Sequence, residues 1–102
     1  MKNVLTSAEI MSLLATVQDP ELGVGITDLG LVYRLDVTDA RIDLQLLFTA
    51  QACPLRQLIV QWSRDALEAQ ASQAVHIGVE EDVPWTPDRL TPDGRAALGY
   101  RS

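Results

Sequence analysis

The chain has 102 residues, 47% of them hydrophobic and 22% charged, which is typical of one globular domain over residues 1–102 and not of a disordered or membrane-spanning chain. Its formal net charge of −6 excludes nucleic acid and anionic membrane surfaces as expected partners, because binding to either needs clustered cationic side chains. The single cysteine excludes an internal disulfide, and the N-terminus has no signal-peptide pattern, so we expect a cytoplasmic protein.

The first half of the chain predicts a helix followed by a β-hairpin. Thr6 and Glu9 make a capping box at the start of a helix that Pro20 limits. A loop rich in turn residues and carboxylates occupies residues 19–28. Two alternating runs on either side of a tight turn at residues 38–40 then predict antiparallel strands. Their apolar residues are Leu31, Tyr33, Leu35 and Val37 in the first run, and Ile42, Leu44, Leu46 and Phe48 in the second.

The second half predicts a long helix, a third strand and a short helix. The long helix runs from Pro54 to about Gln70, and residues 75–79 alternate as a strand does. A strand–helix–strand order implies that the second and third strands are parallel. Residues 91–99 carry an N-cap threonine, a proline at the first helical position and a glycine stop. The predicted apolar face of the long helix consists of Leu55, Leu58, Ile59, Trp62, Ala66 and Ala69.

The predicted fold class is therefore α/β in the α+β sense, with the element order α-β-β-α-β. Its mixed three-stranded sheet is packed by helices, and the chain ends in a short C-terminal helix.

The lone cysteine, Cys53, stands directly before Pro54, where the predicted long helix begins. Proline is favoured at the first helical position, which makes Cys53 the predicted N-cap residue. Unpaired backbone N–H groups and the helix dipole there favour the thiolate, the form that acts as a nucleophile and binds metals. The alternative is a buried cysteine that serves as a small apolar residue.

Three separated blocks of sequence resemble one known family, the SufT/PaaD-like metal–sulfur cluster assembly factors of iron–sulfur protein maturation. The blocks keep the order found in that family and cover nearly the whole chain. They are similar to its Asp-Pro-Glu loop with an Asp-Leu-Gly-Leu-Ile/Val-Tyr strand start, its Thr-x-x-Gly-Cys-Pro turn, and its Pro-Pro-Trp-Thr-Pro-Asp segment with a closing Leu-Gly. In this chain they read Asp19-Pro20-Glu21 with Ile26-Thr27-Asp28-Leu29-Gly30-Leu31-Val32-Tyr33, Thr49-Ala50-Gln51-Ala52-Cys53-Pro54, and Asp82-Val83-Pro84-Trp85-Thr86-Pro87-Asp88-Arg89-Leu90 with Leu98-Gly99-Tyr100.

Two positions depart from the family pattern. Ala52 stands where the family usually has glycine before the cysteine, and Val83 replaces the first proline of its pair. If the turn needs a positive φ angle, alanine carries a strain there that glycine avoids. The resemblance is to the minimal domain, without the cysteine-bearing C-terminal extension of longer PaaD relatives.

The resemblance implies an iron–sulfur cluster assembly or maturation factor, an adaptor or carrier that helps deliver iron or clusters to client proteins through Cys53. Because several thiolates usually ligate a cluster, we expect its other ligands to come from a second copy of the chain, a scaffold, a carrier or a client. We assign no catalytic residue. Two other classes stay open, namely a thiol-dependent redox or transfer enzyme using Cys53 and a non-catalytic protein-interaction module.

Four polar residues are supporting candidates for this site. Asp19 and Glu21 resemble the acidic loop pair of the family, whose carboxylates suit transient iron binding or a partner contact. The reading that we favour for Asp19 is structural, since aspartate commonly bonds to loop N–H groups. Asp28 is either a turn residue or a site residue, and the Thr49 hydroxyl is expected to support the turn that positions Cys53.

Trp85 and His76 are the two remaining residues whose side chains could serve a binding function. Trp85 lies in a proline-bounded loop, where it either anchors a partner or folds back over the core. His76, the only histidine, is out of phase with Val75 and Ile77, so we expect a solvated side chain and assign it no role.

Overall fold

The computed structural model describes residues 2–48 and 56–99, and it has the predicted α+β architecture. Strand β1 pairs antiparallel with β2, β2 pairs parallel with β3, and the sheet order is β1-β2-β3. The elements are α1 (Ser7–Leu14), β1 (Val32–Val37), β2 (Arg41–Leu47), α2 (Arg56–Glu68), β3 (Ala74–Glu80), a 3₁₀ turn (Pro87–Arg89) and α3 (Pro92–Leu98).

Helix α1 begins with the predicted capping box. The Thr6 hydroxyl accepts from the Glu9 N–H at 3.2 Å, and the Glu9 carboxylate accepts from the Thr6 N–H at 3.1 Å. These two bonds satisfy backbone donors that have no partner inside the helix. The helix ends at Leu14, earlier than the apolar pattern indicated. Val17 belongs to the loop that follows the helix, and its side chain is nevertheless buried.

The central strand β2 carries the most regular part of the core. Ile42, Leu44 and Leu46 are fully buried on one face, as their alternation predicted. The neighbouring strand β1 differs from its prediction at Tyr33, which is 40% exposed. A register shift between Val32 and Arg34 explains this, because a bulge changes which residues face the core.

The buried face of α2 was predicted in part. Ile59 is buried and Ala66 packs against the core as predicted, Ala69 is exposed, and Leu55 lies outside the described residues. The buried residues of α2 are Ile59, Ser63 and Leu67, whereas Leu58 and Trp62 stay 43% and 39% exposed. Ser63 is tolerated in the core because its hydroxyl donates to the Ile59 carbonyl at 2.7 Å, within the helix itself. The polar serine therefore faces inward and an apolar tryptophan faces outward, a choice that helical periodicity does not settle.

Helix α3 begins and ends as predicted. The Thr91 hydroxyl accepts from the Gly94 N–H at 3.0 Å, and Gly99 closes the helix with a φ of 80°. The 3₁₀ turn before it was not predicted. Together these elements form a C-terminal segment, residues 85–98, that contacts the chain just before β1 and thereby contributes to the candidate site.

Candidate functional site

The segment that carries Cys53 and Thr49 lies outside the described residues, but the residues at its two ends are described. Phe48 follows β2, and Arg56 opens the described part of α2. The Arg56 guanidinium lies 5.3 Å from the centroid of the Phe48 ring and forms an ion pair of 3.1 Å with Glu81, just after β3. The carboxyl ends of the two parallel strands and the described start of α2 therefore meet at one end of the sheet.

The Asp19 side chain is engaged in its own turn. One carboxylate oxygen accepts from the backbone N–H groups of Glu21 at 2.8 Å and Leu22 at 3.1 Å. The Asp19 backbone carbonyl accepts from Gly23 at 2.7 Å. This is the turn chemistry that the structural interpretation of Asp19 predicted. Glu21 itself is exposed.

The acidic loop lies beside the middle of α2 and not beside its described start. Asp19 and Pro20 line a groove together with Trp62 and Ala66. At 1.5 Å per residue, Trp62 and Ala66 are about 9 and 15 Å along the helix from Arg56. The participation of Asp19 and Glu21 in an iron site thus stays a prediction, and their described neighbours belong to another part of the surface.

Asp28 is held at the N-terminus of α3. Its carboxylate accepts from the Thr91 hydroxyl at 2.7 Å, and its backbone carbonyl accepts from the Thr91 N–H at 3.0 Å. Gly94 packs against the Asp28 backbone, where a larger residue would collide with the carbonyl oxygen. A carboxylate next to the positive end of a helix dipole is favourable. Asp28 therefore ties the loop before β1 to the C-terminal segment.

Two side chains of the C-terminal segment extend this contact toward β1. The Trp85 indole N–H donates to the Leu29 carbonyl at 2.7 Å, and its half-buried ring packs against the core. Arg89 donates to the carbonyls of Gly30 at 2.7 Å and Val32 at 3.3 Å. The first and third sequence blocks thus form one hydrogen-bonded unit, which we call the interlock and define as residues 28–32 with residues 85–94.

The interlock adjoins the end of β2. The Leu47 N–H donates to the Leu31 carbonyl at 2.8 Å, one residue before Phe48 and the segment that carries Cys53. Sequence reasoning gave no role to Arg89, although it stands inside the third block. Its bonds go to backbone carbonyls, which every residue has, so no residue pattern could have indicated them.

The described part of the chain contains no cluster of possible metal ligands. His76 is exposed on β3, as its phase predicted. Within residues 2–48 and 56–99, no three His, Cys, Asp or Glu side chains are grouped so that they could hold a metal ion. No helix in the same ranges is long and apolar enough to cross a membrane.

The Asp28–Thr91 contact leads to a stability prediction. Replacing Thr91 with alanine is expected to lower the free energy of unfolding by about 2 kcal/mol, because it removes an N-cap worth about 1 kcal/mol and a hydrogen bond worth about 1 kcal/mol. Urea denaturation measures the change. Thr86→Ala is the matched control, since Thr86 precedes the 3₁₀ turn without a side-chain capping bond. Equal losses in the two variants would contradict the assignment.

Comparison with known proteins gives a consistent result. Residues 7–80 match the family model described as "Iron-sulfur cluster assembly protein". The chain is 36% identical over 94 residues to the Fe-S protein maturation auxiliary factor YitW of Bacillus subtilis (strain 168), covering 90% of this chain and 92% of that protein. It is 33% identical over 83 residues to the Fe-S protein maturation auxiliary factor SufT of Staphylococcus aureus (strain USA300), covering 79% and 94%.

The fold has a close counterpart among solved structures. A crystal structure of a domain of unknown function from Bacillus anthracis superimposes with a TM-score of 0.83 and 28% sequence identity, and the match covers 92% of each chain.

Proposed function

Because this chain belongs to the iron–sulfur cluster assembly protein family and has a role in cluster assembly or maturation, we propose that it acts as an adaptor or carrier. In this proposal residues 1–102 form one domain that helps deliver clusters to client proteins through Cys53. The cluster is its cargo and not a resident cofactor.

The observation that carries the proposal is the interlock next to the end of β2. The support lies in the Leu31–Leu47 hydrogen bond at the end of β2, since Leu31 belongs to the same interlock as Asp28 and Trp85. Past the segment that carries Cys53, Arg56 contacts Phe48 and Glu81. These contacts belong to described elements at the end of β2 and the described start of α2, and binding and transfer sites are commonly built on such elements.

Cys53 supplies one soft ligand in this mechanism. Cluster irons usually take several thiolates, and this chain has a single cysteine, so the remaining ligands must come from another molecule. We propose a scaffold, carrier or client protein, or a second copy of the chain, as that molecule. The relatives bear the names of maturation auxiliary factors, in agreement with a protein that hands over its cargo without catalytic turnover.

Anaerobic reconstitution with iron and sulfide tests the role of Cys53. We expect the wild type to bind iron with visible absorbance, at no more than one cluster per two chains, and Cys53→Ser to lose the bound metal. Serine preserves approximate size while it removes the soft ligand. His76→Gln is the control, because His76 is exposed and has no assigned role, and it is expected to retain wild-type iron content.

Three outcomes would contradict a direct carrier role. These are equal iron in wild type and Cys53→Ser, a complete cluster on a monomer by sedimentation, and no iron on either protein. The last result would favour an adaptor that positions the clusters of other proteins. Turnover of a thiol substrate that depends on Cys53 would instead favour the enzyme alternative.

A further inference from the structure

We propose that a groove between α2 and the loop 16–23 binds an amphipathic helix of a partner protein that presents apolar side chains flanked by lysine or arginine. This inference goes beyond the delivery of clusters through Cys53, because every residue that carries it lies elsewhere on α2 and the acidic loop. The groove has a volume of about 470 Å³. Its lining consists of Thr16, Val17, Gln18, Asp19, Pro20, Gly23, Trp62 and Ala66.

Apolar side chains at and beside the groove keep a large exposed fraction. Trp62, which lines the groove, is 39% exposed, and Leu58 lies one helical turn before it at 43% exposed. The face of α2 that packs against the core is occupied by Ile59, Ser63 and Leu67, so Trp62 lies outside the hydrophobic core. Exposed apolar groups that adjoin one another commonly mark interaction sites, and tryptophan is enriched among residues that dominate binding energy.

The groove wall is preformed. The Asp19 N–H donates to the Val24 carbonyl at 3.0 Å, and the Ile26 N–H donates to the Val17 carbonyl at 2.8 Å. The Asp19 carboxylate holds the tip of the loop through two further backbone bonds. A partner that enters this groove therefore does not have to order the loop, which would otherwise reduce its affinity.

Asp19 lines the groove, and two further exposed carboxylates are sequence neighbours of lining residues. Glu21 follows Pro20, Asp65 precedes Ala66, and all the carboxylates of α2, including Glu68, are exposed. The two cations of α2 are directed elsewhere, since Arg56 pairs with Glu81 and Arg64 donates to the Val75 carbonyl at 2.9 Å. An apolar groove with an acidic rim is complementary to an apolar stripe with a basic rim.

Charge complementarity also selects the occupant. A second copy of this chain would bring the same acidic rim and a net charge of −6 to a self-complementary contact, so like charges would face each other. A partner helix is the natural form, because its i, i+3 and i+4 side chains present apolar residues on one face and cations beside them.

Fluorescence anisotropy with a labelled peptide tests the proposal on the full chain. The probe is a 14-residue peptide of leucine and lysine with its leucines on one helical face, and its counterpart carries glutamate in place of lysine. We expect only the lysine peptide to bind, and Trp62→Gln to weaken it at least about tenfold, as loss of a dominant aromatic contact does. Tyr33→Ser, at an equally exposed aromatic on β1, is expected to change affinity less than about twofold.

A second pair of variants separates local charge from total charge. Glu21→Gln with Asp65→Asn is expected to weaken the lysine peptide and reduce the salt dependence of binding. Asp39→Asn with Asp88→Asn removes the same charge from exposed positions away from the groove and is expected to have little effect.

The proposal is overturned if Trp62→Gln and wild type bind the lysine peptide equally, or if the glutamate peptide binds as well. It is also overturned if sedimentation shows a dimer that Trp62→Gln dissociates, since the second copy would then be the occupant. The melting temperature of each variant confirms that it is folded. Peptide binding tests the groove, whereas the iron content of wild type and Cys53→Ser tests the carrier role. Failure of one proposal can therefore be distinguished from failure of the other.

Discussion

Replacing Gly30 with alanine is expected to lower the free energy of unfolding by about 3 kcal/mol or more. Gly30 has a φ of 69°, a conformation that costs an L-residue about 1–2 kcal/mol. A Cβ at this position would also collide with the backbone carbonyl of Arg89, and overpacking of this kind costs about 1–3 kcal/mol. Gly30 therefore permits the close approach of the C-terminal segment to the start of β1.

Gly23→Ala is the matched control for this prediction. Gly23 has nearly the same φ, 67°, but a Cβ there would meet nothing within 4 Å. Its substitution is expected to cost only the conformational term of about 1–2 kcal/mol. Urea denaturation of both variants with unchanged m-values isolates the contribution of the close approach. If both substitutions cost the same, the contact between Gly30 and Arg89 does not hold the interlock together.

Replacing Trp85 with alanine is expected to cost about 3 kcal/mol, the low end of the range for tryptophan truncation, because Trp85 is only half-buried. The variant loses the packing against the core and the hydrogen bond to the Leu29 carbonyl. Trp85→Phe retains much of the packing and is expected to lose about 1 kcal/mol for the hydrogen bond. Thermal and urea denaturation measure both losses.

The second tryptophan provides the control. Trp62 is 39% exposed on α2, and Trp62→Ala is expected to cost less than about 1 kcal/mol, as substitutions away from packed sites commonly do. A Trp85→Ala variant as stable as Trp62→Ala would contradict a packing role for Trp85. The hypothesis that Trp85 anchors a partner is best tested with Trp85→Phe, in which a loss of binding is not confounded by unfolding.

The interlock shows why the sequence blocks could be recognised before their arrangement was known. Each block has a local signal, such as the proline-bounded Trp85 or the N-cap Thr91. Their meeting depends on hydrogen bonds from Trp85 and Arg89 to backbone carbonyls of Leu29 and Gly30. Every residue has a backbone carbonyl, so the sequence does not indicate which carbonyls accept these hydrogen bonds. The contact between the first and third blocks is therefore known only from the folded structure.

By itself, the sequence determined the elements whose signals are local. The capping box at Thr6 begins α1, period-two alternation predicted β2 and β3, and Gly99 stops α3, because caps, alternation and turn residues act within a few positions. The motif blocks likewise indicated the family.

Only the tertiary structure decided which side of each helix or strand is buried against the core and which is exposed to solvent. It turned Ser63 inward and Trp62 outward, exposed Tyr33 at a bulge, and joined Asp28 to Thr91 across the fold. Periodicity specifies that a helix or strand has two sides, whereas the burial of each side depends on the surfaces that neighbouring elements offer. Those surfaces are contributed by residues distant in the chain.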